Sequence, residues 1–281
     1  MSKADAGIFG FLPEGAAMYL WADVNEVRSL LEYISFDGLP LTQADAVLDR
    51  TETAAIALSG AGAGSRFLLS LRGKYPSFQA AFSMAFSREW KRTRSNTGKS
   101  YWNSEYYGIG LALDSQIALV SKGDPFEKVP ASGFNAVRIP VSFDDFRAGT
   151  VMAGWIPDSQ IINDFLSNSG LPIQIPAEDF FFGVTKSHNA EDAWEIEFHI
   201  RTSTVLLARG LVNVITLART LMFGFSSGGS IISDRASFVD FLPMIFANPP
   251  QRVDDILTIK TDSFTTGELS LLFNIFLLYS S

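Results

Sequence analysis

Two histidines, His188 and His199, are the imidazoles this chain could offer to a catalyst or a metal. Neither has a second imidazole or a cysteine at ligand spacing, so no metal site is expected. His188 falls in an expected turn and His199 on the polar face of an alternating strand, which predicts two exposed surface residues. Thr97-Gly-Lys-Ser100 matches the end of a loop that would cradle a nucleotide phosphate, but Thr93 stands where the first glycine belongs. Among Arg88, Lys91, Arg92, Arg94 and Lys99 it reads instead as a solvated basic turn. Gly60-Ala-Gly-Ala-Gly64 lies between two strand-like segments rather than before a helix, so the dinucleotide fingerprint fails on context. General acid–base work needs two carboxylates converging on one substrate. Asp144-Asp145, Glu178-Asp179, Glu191-Asp192 and Asp254-Asp255 read as turn and cap positions. The inventory predicts no catalytic residues, no metal and no cofactor.

Composition points the same way. The 281 residues can bury a substantial core, and 47% of them are hydrophobic, with a positive mean hydropathy. Yet no run of eighteen or more apolar residues free of charge occurs, as an ordinary transmembrane helix would require. A net charge of -8 argues against nucleic acid, whose phosphates must be met by Lys and Arg, and gives no electrostatic pull toward anionic headgroups. Any membrane affinity must come from apolar burial. With no cysteine, disulfides and thiol chemistry are excluded. Met1-Ser-Lys-Ala-Asp-Ala-Gly7 has no apolar signal core, which fits either a cytoplasmic chain or one whose export signal has been removed.

The elements that would position any site repeat along the chain. Ala17-Met-Tyr-Leu-Trp-Ala-Asp23 and Val151-Met-Ala-Gly-Trp-Ile-Pro-Asp158 are short apolar runs ending in a helix-capping aspartate. A short helix follows each, striped by Val27, Leu30, Leu31 and Ile34 in the first copy and by Ile161, Ile162, Phe165 and Leu166 in the second. Gly38-Leu-Pro40 and Gly170-Leu-Pro172 close them. Two strands come next, at 54–59 and 66–72 against 180–185 and 193–202, then a second helix. In the first copy that helix carries Phe78, Phe82, Phe86 and Trp90 and is expected to pack on the core. A hairpin turning at Ser115 ends the first copy, and Ile256–Lys260 with an apolar tail at 269–279 ends the second. This predicts an α+β fold: a duplicated β-α-β-β-α-β-β unit with a mainly antiparallel sheet, pseudo-twofold, divided at 1–135 and 136–281, with amphipathic helices added in the second half.

Function is expected where the second copy departs from the first. At 100° per residue, Arg209, Asn213, Thr216 and Thr220 of the 204–222 helix fall within about 60°, with Arg219 at the margin and apolar residues around the rest. That wet face is far narrower than on an ordinary surface helix. Two arginines at about 2.5 to 3.5 kcal/mol each outweigh nine Leu, Ile and Val at about 0.3 to 0.6, so spanning loses to lying in the interface. An insertion of about thirty residues then brings a Gly/Ser stretch and the Phe-rich segment 238–246. Val205, Leu206, Leu207, Leu211, Val212, Val214, Ile215, Leu221, Phe238, Phe241, Leu242, Ile245 and Phe246 are the predicted bilayer contacts, with Gly224, Gly228 and Gly229 as hinge.

An acidic chain of 30.8 kDa, with Leu12-Pro-Glu-Gly15 near its start, a repeated α+β body and amphipathic helices in its second half, resembles the concealed treponemal outer-membrane lipoproteins. The resemblance rests on size and architecture over most of the chain, with no short diagnostic motif. It implies a lipid anchor in the periplasmic leaflet of the outer membrane, through a cysteine this sequence lacks. It further implies helix insertion, a closed-to-open change and raised permeability. A lipid or amphiphile carrier with an internal cavity, and a structural homo-oligomer, are the alternative readings of the same apolar helices.

Overall fold

The structure is a computed structural model, described here over residues 6–31, 47–59, 66–127, 137–168, 174–187, 192–225 and 237–279. The chain divides into two compact units, Met1–Val27 with Phe36–Pro140, and Arg28–Ser35 with Val141–Ser281.

In the first unit, helix α1 (Ala6–Phe9) precedes strand β1 (Met18–Asp23). Helix α2 (Val24–Leu31), of which Val24–Val27 fall in this unit, starts where the Asp23 carboxylate accepts the amides of Asn25 (3.1 Å) and Glu26 (3.3 Å), two of the donors a helix start leaves unpaired. Strands β2 (Thr51–Ser59) and β3 (Arg66–Gly73) follow, then helix α3 (Ser77–Phe86) and strands β4 (Lys91–Arg94), β5 (Ser100–Ser104), β6 (Ile109–Leu113) and β7 (Ile117–Ser121). All pair antiparallel in the order β1-β2-β3-β7-β6-β5-β4.

The second unit opens with helix α4 (Val141–Arg147) and strand β8 (Met152–Ile156). Helix α5 (Ser159–Asn168) again starts beside an aspartate, Asp158, which accepts the Gln160 amide at 2.9 Å. Strands β9 (Ala177–Lys186) and β10 (Ala193–Thr202) lead to helices α6 (Val205–Phe225) and α7 (Phe238–Ile245), strands β11 (Gln251–Val253), β12 (Ile256–Lys260) and β13 (Phe264–Thr265), and helix α8 (Thr266–Tyr279). The antiparallel order is β8-β9-β10-β12-β11, with β13 beside the start of β10. Both units thus run one path: a strand, a helix, two further strands, a helix, and a closing hairpin whose last strand returns to the third. They differ in what is added. The hairpin β4-β5 extends the first sheet, whereas α7, β13 and α8 belong to the second unit alone. Among the expected landmarks, Ile34, Gly38-Leu-Pro40 and Gly170-Leu-Pro172 lie outside the described residues.

The second sheet is covered on both faces, and its sequence shows why. On one face Phe143 of α4 meets Trp155 (6.3 Å between ring centroids) and Phe181 (5.5 Å), while Phe146 meets Phe181 (6.1 Å) and His199 (4.4 Å). Phe180, Ile200 and Leu257 stand side by side on the other face, all buried. Helix α5 packs on β9, α6 on β10, β11 and β12, and α8 on β10. A strand buried on both sides needs apolar residues at every position, and Phe180-Phe-Phe-Gly-Val184 supplies them. Gly154 sits opposite Phe182, whose ring occupies the space a side chain there would need.

Candidate lipid-facing surface

Helix α6 has three sides, not two. Ala208, Leu211 and Ile215, at 0%, 5% and 7% exposure, form the side packed on the sheet. Arg209, Asn213, Thr216 and Thr220 form the exposed polar stripe. Between them runs a second exposed side that is apolar: Leu206 (75%), Leu217 (61%), Val214 (48%) and Leu207 (40%), which fall within about 100° of one another at 100° per residue. Val205 is exposed at the helix start. Burying those four side chains would stabilise by on the order of 5 kcal/mol at about 1.5 to 3 kcal/mol per large aliphatic group, discounted for the part already covered. No helix among the described residues is long and apolar enough to cross a membrane. The flank therefore suits a helix lying along an apolar boundary.

The predicted contacts divide accordingly. Val205, Leu206, Leu207 and Val214 face outward, and Leu217, absent from the expectation, joins them. Leu211 and Ile215 form the packing face, and Val212 is half-buried beside them. Helix α7 is more enclosed still, with Phe241, Leu242 and Ile245 buried and Phe238 set edge-on against Phe165 at 4.8 Å. Phe246 is a half-buried C-cap. An eight-residue helix wedged against α6 and α8 has few directions left for its apolar residues. Gly224, expected in a flexible linker, lies inside the helical span of α6; the side chain of Leu221, and Gly228 and Gly229, lie outside what is described.

The first unit holds an exposed apolar surface that periodicity did not reveal. Phe78, Phe82 and Phe86 of α3, expected in the core, are 81%, 60% and 76% exposed, while Met84 on the opposite side is the residue buried. The i, i+4, i+8 spacing identified a face but not its direction. The signal lay in the other side of the wheel, where Ser77, Ala80, Ala81 and Met84 are small or flexible enough for close packing.

The residues that first suggested chemistry have structural employment. Thr97-Gly-Lys-Ser100 is the β4-β5 turn, closed by the Ser95 amide on the Lys99 carbonyl (2.8 Å), with Gly98 at φ +81°. His199 differs from the exposed residue expected: its ring lies tilted against Phe146 and its Nε2 lies 2.6 Å from Glu197 Oε1. That hydrogen bond holds the Glu197 carboxyl below its ordinary range; burial opposes the shift, and Lys260, at 3.0 Å, adds to it. Asp144 pairs with Arg147 at 2.9 Å inside α4. Glu178 and Asp179 stand in β9 rather than a turn, where Asp179 accepts from Arg201 and from Trp155 Nε1. Asp254 turns the β11-β12 hairpin at φ 52°. His188, Glu191 and Gly60–Gly64 lie outside the described residues. A cleft of about 440 Å³ opens in the second unit, but Glu195, Asn248, Thr258, Lys260, Asp262 and Ser263 line it with polar groups, an environment for water or a small polar solute rather than an acyl chain.

No protein-family model matches the chain, and no curated protein matches its sequence. Its fold is that of TP0453, a Treponema pallidum protein. Crystal form III of TP0453 superposes with a TM-score of 0.61 at 15% identity, over 95% of this chain and 97% of that one. Crystal form IV gives 0.61 at 14% identity over 98% and 100%, and crystal form I gives 0.60 at 15% over 96% and 97%.

Proposed function

We propose that this chain is a non-catalytic, outer-membrane-associated lipoprotein that lays α6 in the periplasmic leaflet and perturbs the bilayer through a closed-to-open change. The observation that carries the reading is the second, apolar side of α6, with Leu206 and Leu217 exposed next to a polar stripe narrow enough to remain in the headgroups. Near-complete coverage in both directions against TP0453 supports the same architecture from end to end. The lipid anchor and the leaflet follow from the treponemal resemblance noted from sequence.

In the closed form Leu211, Ile215 and the apolar residues of α7 are satisfied by the protein itself. Opening exchanges that burial for burial in lipid, so the change is driven by the difference between two similar terms rather than by either alone. The exposed flank makes the first contact, and the packed faces of α6 and α7 follow if the helices lift. A carrier function would call for an apolar cavity, and the polar lining of the 440 Å³ cleft lends it no support.

Flotation and dye release with liposomes test the reading. Wild-type chain is expected to float with vesicles and release dye; Leu206→Glu with Leu217→Glu, both at exposed positions, is expected to keep its circular dichroism, to lose dye release and to stop floating with uncharged phosphatidylcholine vesicles. A wild-type chain that stays at the bottom of the gradient and releases no dye overturns the proposal.

A further inference from the structure

We infer that α3 and the basic hairpin after it form a second lipid-docking surface, selective for anionic headgroups. This rests on the membrane reading above but uses other residues and a different attraction.

The ridge of Phe78, Phe82 and Phe86 runs along one side of α3 for eight residues, about 12 Å at 1.5 Å per residue. Phe82 and Phe86 support one another at 4.7 Å between ring centroids. A second aromatic group follows the helix: Trp90 lies 5.9 Å from Tyr107, Tyr107 meets Tyr106 edge-on at 4.8 Å, and Tyr106 is 77% exposed. The Tyr107 hydroxyl donates to Glu89 at 3.0 Å, which ties the segment after α3 to the β5-β6 turn. Amphipathic rings of this kind favour the boundary between acyl chains and headgroups.

Charge supplies the second, independent observation. The whole chain carries -8, yet residues 77–107 hold five Lys and Arg against two acidic residues, Glu89 and Glu105. Arg88, Arg92 and Arg94 are exposed and form no ion pair among the described residues. Lys91 pairs with Glu105 at 3.2 Å in open solvent, where such a pair is readily exchanged for another. Concentrating cations beside an aromatic ridge in an acidic protein matches a surface that is apolar below and anionic above. Single-stranded nucleic acid also takes aromatic and basic side chains, but it stacks bases on separated ring faces. A ridge whose rings pack on each other along one helix line fits a plane better.

The test uses the full chain and flotation on vesicles of phosphatidylcholine alone or with about a third phosphatidylglycerol. Each cation near an anionic surface contributes about fivefold in partitioning. Wild type is expected to prefer the anionic vesicles at least tenfold, to lose that preference in 0.5 M salt, and to lose most of it in Arg92→Gln with Arg94→Gln. Phe78→Ser with Phe82→Ser is expected to weaken anionic-vesicle binding while circular dichroism stays that of wild type. Leu206→Glu with Leu217→Glu is expected to abolish dye release yet keep the charge preference, so failure of the α6 reading and of this one are distinguishable. Equal binding to both vesicle types, an undiminished preference after loss of both arginines, or tight binding to a single-stranded oligonucleotide that competes with vesicles, overturns the inference.

Discussion

The guanidinium of Arg219 holds the end of α7: its Nε donates to the carbonyl oxygens of Phe246 (3.0 Å) and Ala247 (3.2 Å), and a second nitrogen donates to Ala247 at 2.8 Å. The last carbonyls of a helix have no partner within it and carry the negative end of its dipole, so a cation there both satisfies and neutralises them. One side chain of the exposed-flank helix thereby clamps the enclosed helix beside it. The sequence placed Arg219 at the margin of a polar stripe; its role depends on what stands opposite.

Removing that clamp should loosen α7 before anything else. Arg219→Gln is expected to cost about 1.5 to 3 kcal/mol, the range for hydrogen bonds to a charged group. Hydrogen exchange should quicken first in 238–247, and dye release should rise at a given protein concentration. Unchanged exchange in that segment would show that packing of Phe241 and Ile245 suffices to hold the helix.

Two leucines on α6 should behave oppositely on substitution by glutamate. Leu206 is 75% exposed, and Leu206→Glu should alter folding stability by less than about 0.5 kcal/mol. Leu211 is 5% exposed on the packed side, and Leu211→Glu should cost about 3 kcal/mol or more by burying an unpaired charge. Urea denaturation separates them. Equal costs would mean that the flank carrying Leu206 is not the free side of the helix.

Glycine substitutions report on the second sheet. A Cβ at Gly154 would meet the Phe182 ring at 2.1 Å, so Gly154→Ala should destabilise by about 1 to 3 kcal/mol through overpacking. Gly210 has open space around its would-be Cβ within α6, and Gly210→Ala should stabilise by about 0.5 to 1 kcal/mol. Thermal unfolding should therefore shift down for the first and up for the second.

Acid should weaken the second unit in part through Glu197. Its folded pKa lies below the ordinary value because of the hydrogen bond with His199, opposed by burial and aided by Lys260. Its stabilising contribution is present above the ordinary glutamate pKa and is lost as pH falls through the depressed one. Denaturation midpoints should fall with acid across that window, and Glu197→Gln should flatten the slope there. A slope identical in the variant would assign the acid sensitivity to other carboxylates.

Element identity was written locally. Aspartates 23 and 158 mark helix starts because a carboxylate at that position reaches free amides whatever the rest of the chain does. Strand β10 occupies the expected span, 193–202, since alternation is imposed by the strand's own geometry. The wet side of that strand was not legible: His199 is half-covered because α4, some fifty residues earlier, lays Phe146 against it. No periodicity within β10 could report that neighbour.

The sequence by itself determined the α+β class and the run of strand, helix, two strands and helix in each half, because spacing, caps and turns act over a few residues; α4 and the β4-β5 hairpin were not legible in it. Which apolar residues are free was decided only in three dimensions. Leu211 and Leu217 are alike in the sequence, as are Phe86 and Phe241, yet in each pair one is enclosed and the other meets solvent. A helix fixes only the angle between its residues. The direction in which it is turned comes from the shape of what it rests on, and that surface is assembled from segments far apart in the chain.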